Sequence, residues 1–202
     1  MVKTIIFDLG GVIVPFDFAH AYDRMEAWSG LGRQEIRTRL TEGGLADQFE
    51  RGQVTPDEFR GALNQRLGTT ISSDQFVGMW VSIFTPGQTL IAESLIASLA
   101  ARYRVILLSN TTLTHFHWLS ANTPHLRHMH HYVLSYAVGA TKPQPEIYAE
   151  AILRARCDAG ECFFTDDVMK YVEGARAAGI DAEQFTDEVA LRGHLAARGV
   201  EV

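Results

Sequence analysis

The chain has 202 residues, enough for one domain with a sizeable insertion. Its net charge of −6, its 47% hydrophobic residues and its 21% charged residues are ordinary for a soluble globular protein. No basic stripe is present, so we expect no nucleic-acid partner. No apolar run approaches the roughly 20 residues of a membrane span, and the N-terminus has no signal-peptide pattern. These features predict a cytoplasmic protein with no membrane partner.

The first predicted strand runs through Ile5–Phe7 and stops at Asp8, followed by Gly10 and Gly11. Apolar, β-branched residues bounded by glycine are typical of a buried strand. Ligands of open α/β sheets collect at the carboxyl ends of the strands, where Asp8 would lie. A buried carboxylate must be paired or must bind a metal. Asp8 is therefore either a structural cap or a working nucleophile or metal ligand.

Residues 16–84 show helical patterns and no convincing strand. Asp17 is predicted to N-cap the first of these helices. Thr55 and Glu58 form a predicted capping box with Pro56 at the first helical position. We predict that residues 16–84 form an all-helical cap domain, while residues 1–15 and 85–202 form the catalytic core.

Strands and helices alternate after residue 88, which predicts an α/β fold with a parallel sheet and right-handed crossovers. We predict helices near residues 88–102, 113–119, 145–156, 168–178 and 187–198. The intervening strands are predicted near residues 104–110, 132–135, 161–165 and 180–185.

Polar residues end several of these strands and therefore share one edge of the sheet. They are Asp8, Ser109 with Asn110, and Asp166 with Asp167, and the loop carrying Lys142 reaches the same edge. Carboxylates close together cannot all stay ionised without a cation, and oxygen ligands suit Mg²⁺. A phosphoryl group needs such cations and donors, and an aspartate can attack it to form an acyl phosphate. The pattern favours phosphoryl chemistry with Mg²⁺ as cofactor.

Four sequence motifs resemble those of the haloacid dehalogenase superfamily, in its phosphatase branch with a helical cap. The motifs are Phe7-Asp8-Leu9-Gly10-Gly11-Val12, Leu107-Leu108-Ser109-Asn110, Thr141-Lys142-Pro143 and Phe164-Thr165-Asp166-Asp167. The resemblance implies a three-layer Rossmann-like sandwich with an inserted cap.

The resemblance also implies a role for each matched residue. Asp8 would be the nucleophile and a Mg²⁺ ligand, beside the Gly10 carbonyl, Asp166 and Asp167. Ser109 and Lys142 would be catalytic and would hold the phosphoryl group. Gly10, Gly11 and the Asn110 backbone would complete the phosphate site.

Two positions depart from the family pattern. Gly10 stands where a second aspartate usually acts as general acid and base, and such help is worth about 10²–10⁴-fold in rate. Asp17 is one candidate substitute, although a helix N-cap explains it better. Tyr171 stands where asparagine is common, and we expect only a local change in hydrogen bonding.

We therefore predict a Mg²⁺-dependent phosphatase of a small phosphorylated metabolite, with a sugar phosphate as one candidate. One alternative is carbon–halogen cleavage, and the other is a phosphate-binding or regulatory protein that turns over weakly. A monomer and a homodimer are equally compatible with the sequence. The histidines near residues 115–131 are interpreted as a solvated polar connection rather than a zinc site. Cys157 and Cys162 are interpreted as reduced thiols.

Overall fold

The computed structural model describes residues 1–201, in which strands and helices alternate along the core. The strands are β1 (Thr4–Phe7), β2 (Arg104–Ser109), β3 (His131–Leu134), β4 (Cys162–Asp166) and β5 (Asp181–Gln184). The first five α-helices are α1 (Ala19–Ser29), α2 (Arg33–Thr41), α3 (Leu45–Glu50), α4 (Pro56–Leu67) and α5 (Ser73–Trp80). The others are α6 (Glu93–Ala100), α7 (Leu113–Asn122), α8 (Ser135–Val138), α9 (Pro145–Ala155), α10 (Met169–Ala177) and α11 (Glu188–Ala197).

The five strands form one sheet in the order β3-β2-β1-β4-β5, and all neighbouring pairs are parallel. Strand β1 is central, with Phe7 opposite Leu107 on β2 and Thr165 on β4. Because parallel strands share their direction, the residues that follow β1, β2 and β4 emerge at one edge. The predicted convergence of strand ends is thus a property of this topology.

Both faces of the sheet are covered by helices. Ile5 and Phe7 pack in one buried cluster with residues of α6, α7 and α11, while Ile6 packs in the opposite cluster with residues of α9 and α10. This alternation follows from the two-residue period of a strand. The predicted α/β fold, a three-layer Rossmann-like sandwich, is confirmed.

A helical unit (residues 16–84) lies between β1 and the rest of the core and has its own hydrophobic cluster. Phe49 and Phe59 stack in it with ring centroids 4.2 Å apart. Two of its helices start at capping boxes: Thr55 and Glu58 form the predicted one at α4, and Ser72 forms a second one with Gln75 at α5. Caps and an apolar stripe together explain why short helices are stable here.

Two details of the predicted elements were wrong. The helix predicted over residues 88–102 begins only at Glu93. The segment before it is held by the loop that follows β1, since Leu90 N–H donates to Ile13 O at 2.9 Å. The N-cap residue of α1 is Phe18, whereas Asp17 lies one residue earlier. Asp17 still stabilises the helix start, since its Oδ1 accepts from Ala19 N–H at 2.8 Å.

The helical unit rests on the core through a close backbone contact. Gly52 has φ +65°, and a Cβ at this position would lie 2.2 Å from the carbonyl oxygen of Tyr136 on α8. Only glycine permits this approach. The contact fixes the C-terminal end of α3 against the core.

A buried histidine forms a second junction between the helical unit and the core. His115 on α7 stacks on Trp80 with ring centroids 5.2 Å apart, and its Nε2 lies 2.9 Å from the Trp80 carbonyl oxygen. Burial lowers the pKa of His115 to about 4, against 6.5 for an ordinary histidine. The folded protein therefore holds this ring neutral under conditions in which the unfolded chain protonates it.

We expect stability to fall as the pH drops below 6.5, because only the unfolded state takes up the proton at this residue. The His115 contribution is about 2 kcal/mol between pH 7 and pH 5. Urea unfolding at the two pH values measures this contribution. Between pH 7 and pH 5, the free energy of unfolding should fall less for His115→Gln than for the wild type. His117→Gln, an exposed histidine on the same helix, serves as control. An identical pH response in His115→Gln and the wild type would contradict this assignment.

Within residues 1–201, none of the helices combines the length and apolar character needed to cross a membrane.

Candidate active site

Three predicted site residues form a buried ion-pair network at the sheet edge. Lys142 Nζ lies 2.7 Å from Asp8 Oδ1 and 2.5 Å from Asp166 Oδ2. All three residues are at most 6% exposed. Asp8 follows β1, Asp166 ends β4, and Lys142 lies in the loop between α8 and α9, so the network joins three separate parts of the chain.

The carboxylates outnumber the cation that they contact. Asp8, Asp166 and Asp167 each offer an oxygen within 4.8 Å of the others, whereas Lys142 is the one cation in ion-pair contact with them among the described residues. If all three were ionised, the carboxylates would exceed the charge of Lys142 by two at this largely buried site. An all-oxygen donor set with this deficit fits a divalent cation such as Mg²⁺.

The pKa values of the site residues reflect the close approach of the three carboxylates. Burial raises the pKa of Asp8 to about 7, with Asp166 adding to the rise and Lys142 opposing it. Burial and the Asp166 charge also raise the pKa of Asp167. Burial alone would lower the pKa of Lys142, but Asp8 and Asp166 outweigh it and raise that pKa. The two carboxylates therefore favour the protonated form of Lys142.

Asn110 holds the backbone of Lys142 in place. Its Oδ1 accepts from Lys142 N–H at 2.7 Å, and its Nδ2 donates to Lys142 O at 3.1 Å. The side chain is thus committed to positioning the lysine, a role that the sequence did not indicate. Ser109, predicted to bind phosphate, is 2% exposed at the end of β2 and lines the same cavity as Asp8.

The two glycines after Asp8 differ in their surroundings. Gly11 has φ +81°, and a Cβ there would lie 2.4 Å from the Asp167 carboxylate. Its amide donates to Val14 O at 2.9 Å, so this N–H, predicted to bind phosphate, already has a partner. Gly10 lines the cavity, and a Cβ there would lie 3.0 Å from the ring of Phe16.

We expect Gly11→Ala to be far more damaging than Gly10→Ala. The alanine at Gly11 would adopt a left-handed conformation, which costs about 1–2 kcal/mol, and would push Asp167 away. At Gly10 only the exposed ring of Phe16 has to move. Urea unfolding and Mg²⁺ titration by calorimetry test this pair. Equal stability and equal Mg²⁺ affinity in the two variants would contradict the expectation.

The network opens into a cavity of about 620 Å³ between the core and the helical unit. Core residues, among them Asp8, Ser109, Lys142 and Asp167, line one side. The helical unit adds further lining residues that the sequence did not single out as site residues, including Tyr22, Arg37 and Glu50. Asp17 is exposed and does not line this cavity, so it is poorly placed to substitute for the acid missing at Gly10.

Tyr171 also lines this cavity, beside the lysine. Lys142 Nζ lies 5.1 Å from the centre of its ring, which is within the range of a cation–π interaction. The family commonly has asparagine at position 171. Tyrosine at this position places an aromatic ring next to the ion-pair network.

The histidines do not form a metal site. Within residues 1–201 the only candidate group of metal ligands is Asp8, Asp166 and Asp167. The interpretation of a solvated connection was wrong for His115 and His125, which are buried and bond the carbonyl oxygens of Trp80 and Ile91. Cys157 and Cys162 are free thiols.

Comparison with known proteins identifies the family. Residues 2–179 match the model of the haloacid dehalogenase-like hydrolases, which describes nearly the whole chain. The chain belongs to this family, and the predicted resemblance is confirmed. It is a hydrolase of the haloacid dehalogenase superfamily.

Individual relatives are phosphatases. A D-ribitol-5-phosphate phosphatase of Bacteroides thetaiotaomicron is 31% identical, covering 91% of this chain and 92% of the relative. A phosphatase of Mycobacterium tuberculosis is 27% identical, with coverage of 90% and 86%. A haloacid dehalogenase family enzyme of B. thetaiotaomicron, solved with magnesium and inorganic phosphate, has a TM-score of 0.81 at 28% identity, with coverage of 93% and 96%.

Proposed function

We propose that this protein is a Mg²⁺-dependent phosphatase that hydrolyses the phosphate monoester of a small polyhydroxylated metabolite, such as a sugar or sugar-alcohol phosphate. The network of Asp8, Lys142 and Asp166 at the base of the cavity carries this proposal. The relatives named above act on phosphorylated compounds, and one acts on a sugar-alcohol phosphate. A cavity of about 620 Å³ has the volume of a small-molecule site.

Each residue of the network has a proposed task. The Asp8 carboxylate attacks phosphorus and forms an aspartyl phosphate, which water then hydrolyses. Lys142 and Ser109, with the backbone amides of Asn110 and Gly10, hold the phosphoryl oxygens. The Lys142 cation also keeps Asp8 aligned, since the two lie 2.7 Å apart.

Asp8, Asp166, Asp167 and the Gly10 carbonyl are the proposed Mg²⁺ ligands. A bound Mg²⁺ would neutralise the carboxylates and stabilise charge on the phosphoryl oxygens. Val168 N–H donates to Asp166 Oδ1 at 2.8 Å and orients this carboxylate for the task.

The helical unit is proposed to act as a cap. Its residues Phe16, Tyr22 and Trp80 cover the cavity with apolar surface, which would exclude water from the aspartyl phosphate. Arg37 adds a polar group in the same wall, exposed and free to contact substrate hydroxyl groups. We propose that these residues set the substrate preference.

The test is phosphate release from alditol, aldose, glycerol and nucleoside phosphates, each with Mg²⁺ and with a chelator. We expect release from at least one polyhydroxylated ester and none with the chelator. No release, combined with a higher melting temperature in Mg²⁺ and phosphate, would instead favour a binding protein. Halide release from 2-haloacids would favour the dehalogenase alternative.

A further inference from the structure

The protein lacks the usual acid at Gly10, yet the helical unit brings another carboxyl group to the cavity. Glu50, the last residue of α3, is half-buried. It is the only acidic residue that the helical unit contributes to the cavity lining among residues 1–201. Its carboxylate forms no hydrogen bond or ion pair within these residues, whereas many other acids of the fold, such as Asp47 on the same helix, have a basic partner. A half-buried carboxyl without a partner is costly unless a ligand supplies one.

The position of Glu50 is fixed by the backbone that follows it. Gly52, two residues later, contacts the Tyr136 carbonyl so closely that no side chain fits there. The backbone at the end of α3 is thus held against the core, which keeps the Cα of Glu50 at the cavity wall. A group held in place by rigid elements is suited to act on a bound substrate.

The neighbours of Glu50 lie at the reacting end of the cavity. Burial raises the pKa of Glu50, the charge of Asp47 adds to the rise, and the Lys142 ammonium opposes it. Burial raises the pKa of Tyr171, and the Glu50 carboxylate adds to that rise. Glu50 lines the same cavity as Asp8, Lys142 and Tyr171, and this shared cavity is where a phosphate ester would be cleaved.

We propose that Glu50 is the general acid and base of this enzyme and that it replaces the aspartate missing at Gly10. This inference rests on the proposed phosphatase function. Other polar groups in the wall are less suited: His115 is neutral and bonded to Trp80, and Asp167 belongs to the proposed metal site.

The proton balance of the two steps is complete. In the first step the bond from Asp8 to phosphorus forms, the bond from phosphorus to the ester oxygen breaks, and the Glu50 proton passes to that oxygen to give the alcohol. In the second step water attacks phosphorus, its proton returns to the Glu50 carboxylate, and the bond from Asp8 to phosphorus breaks. Inorganic phosphate leaves, and Glu50 is protonated again.

The experiment compares Glu50→Gln with the wild type on two kinds of ester. An alkyl phosphate needs a proton on its leaving oxygen, whereas p-nitrophenyl phosphate releases a stable anion. We expect kcat/KM to fall about 10²–10⁴-fold on the alkyl ester and less than about tenfold on the aryl ester. Glu42→Gln, an exposed acid of the same helical unit outside the cavity, should match the wild type on both.

Binding and stability measurements separate a chemical role from a structural one. By calorimetry, Glu50→Gln should bind inorganic phosphate in the presence of Mg²⁺ with the wild-type affinity. The melting temperature of the variant should equal that of the wild type. Equal slowing on both esters, or no slowing on either, would overturn the assignment of Glu50 while leaving the phosphatase intact. A wild-type protein that cleaves neither ester would instead overturn the proposed function and this inference with it.

Discussion

Asp8→Asn is expected to lower phosphate release by at least about 10⁴-fold, the scale on which enzymes lose activity when their nucleophile is removed. The amide has the shape of the carboxylate but cannot form the aspartyl phosphate. It also removes one of the crowded negative charges beside Asp166, so we expect the free energy of unfolding to change by less than about 2 kcal/mol. Single-turnover assays and urea unfolding measure the two effects.

The matched control for this variant is Asp17→Asn. Asp17 is exposed, accepts a hydrogen bond from Ala19 N–H and lies outside the cavity lining. Its loss should cost about 1 kcal/mol of stability at most and leave turnover unchanged. Wild-type turnover in Asp8→Asn would rule out the aspartyl phosphate mechanism, whatever the behaviour of the control.

Lys142→Met is expected to have the second-largest effect, on stability as well as on rate. Methionine fills a similar volume but leaves Asp8 and Asp166 buried without the ammonium that lies 2.7 Å and 2.5 Å from them. Removing one partner from a buried ion pair typically costs about 3–5 kcal/mol. We expect a loss of this size in the presence of a chelator and a turnover at least about 10²-fold lower.

Saturating Mg²⁺ separates the two roles of the lysine. A divalent cation balances the carboxylates, so Mg²⁺ should restore part of the stability of Lys142→Met but not its turnover. Lys170→Met, at an exposed lysine on α10, should behave as the wild type in both assays. A Lys142→Met protein with wild-type stability in chelator would contradict the charge argument.

The residues at the sheet edge could be predicted because they follow from local patterns. Buried apolar runs identify β1, β2 and β4, and parallel pairing brings their ends together. The sequence therefore predicts the positions of Asp8, Ser109 and Asp166 at the sheet edge. The same reasoning could not foresee that Asn110 binds the backbone of Lys142, because this contact joins two loops 32 residues apart.

No comparable sequence pattern predicts which residues form the cavity wall. Whether Arg37 or Glu50 faces the core depends on how the helical unit docks, and docking uses the contacts of Gly52 with Tyr136 and of Trp80 with His115. A single glycine at a close approach leaves no periodic pattern in the sequence. The burial of His115 and His125 was missed for a similar reason, since both bond backbone carbonyls that are distant in sequence.

The ring of Phe16 lies beside the position at which the family usually carries an acid. A side chain at position 10 would bring its Cβ within 3.0 Å of this ring, but the ring is exposed and can move aside. The fold therefore leaves position 10 open to an acid through a single substitution. Once such an acid was present, the proposed task of Glu50 could pass to it, and position 50 would be free to vary.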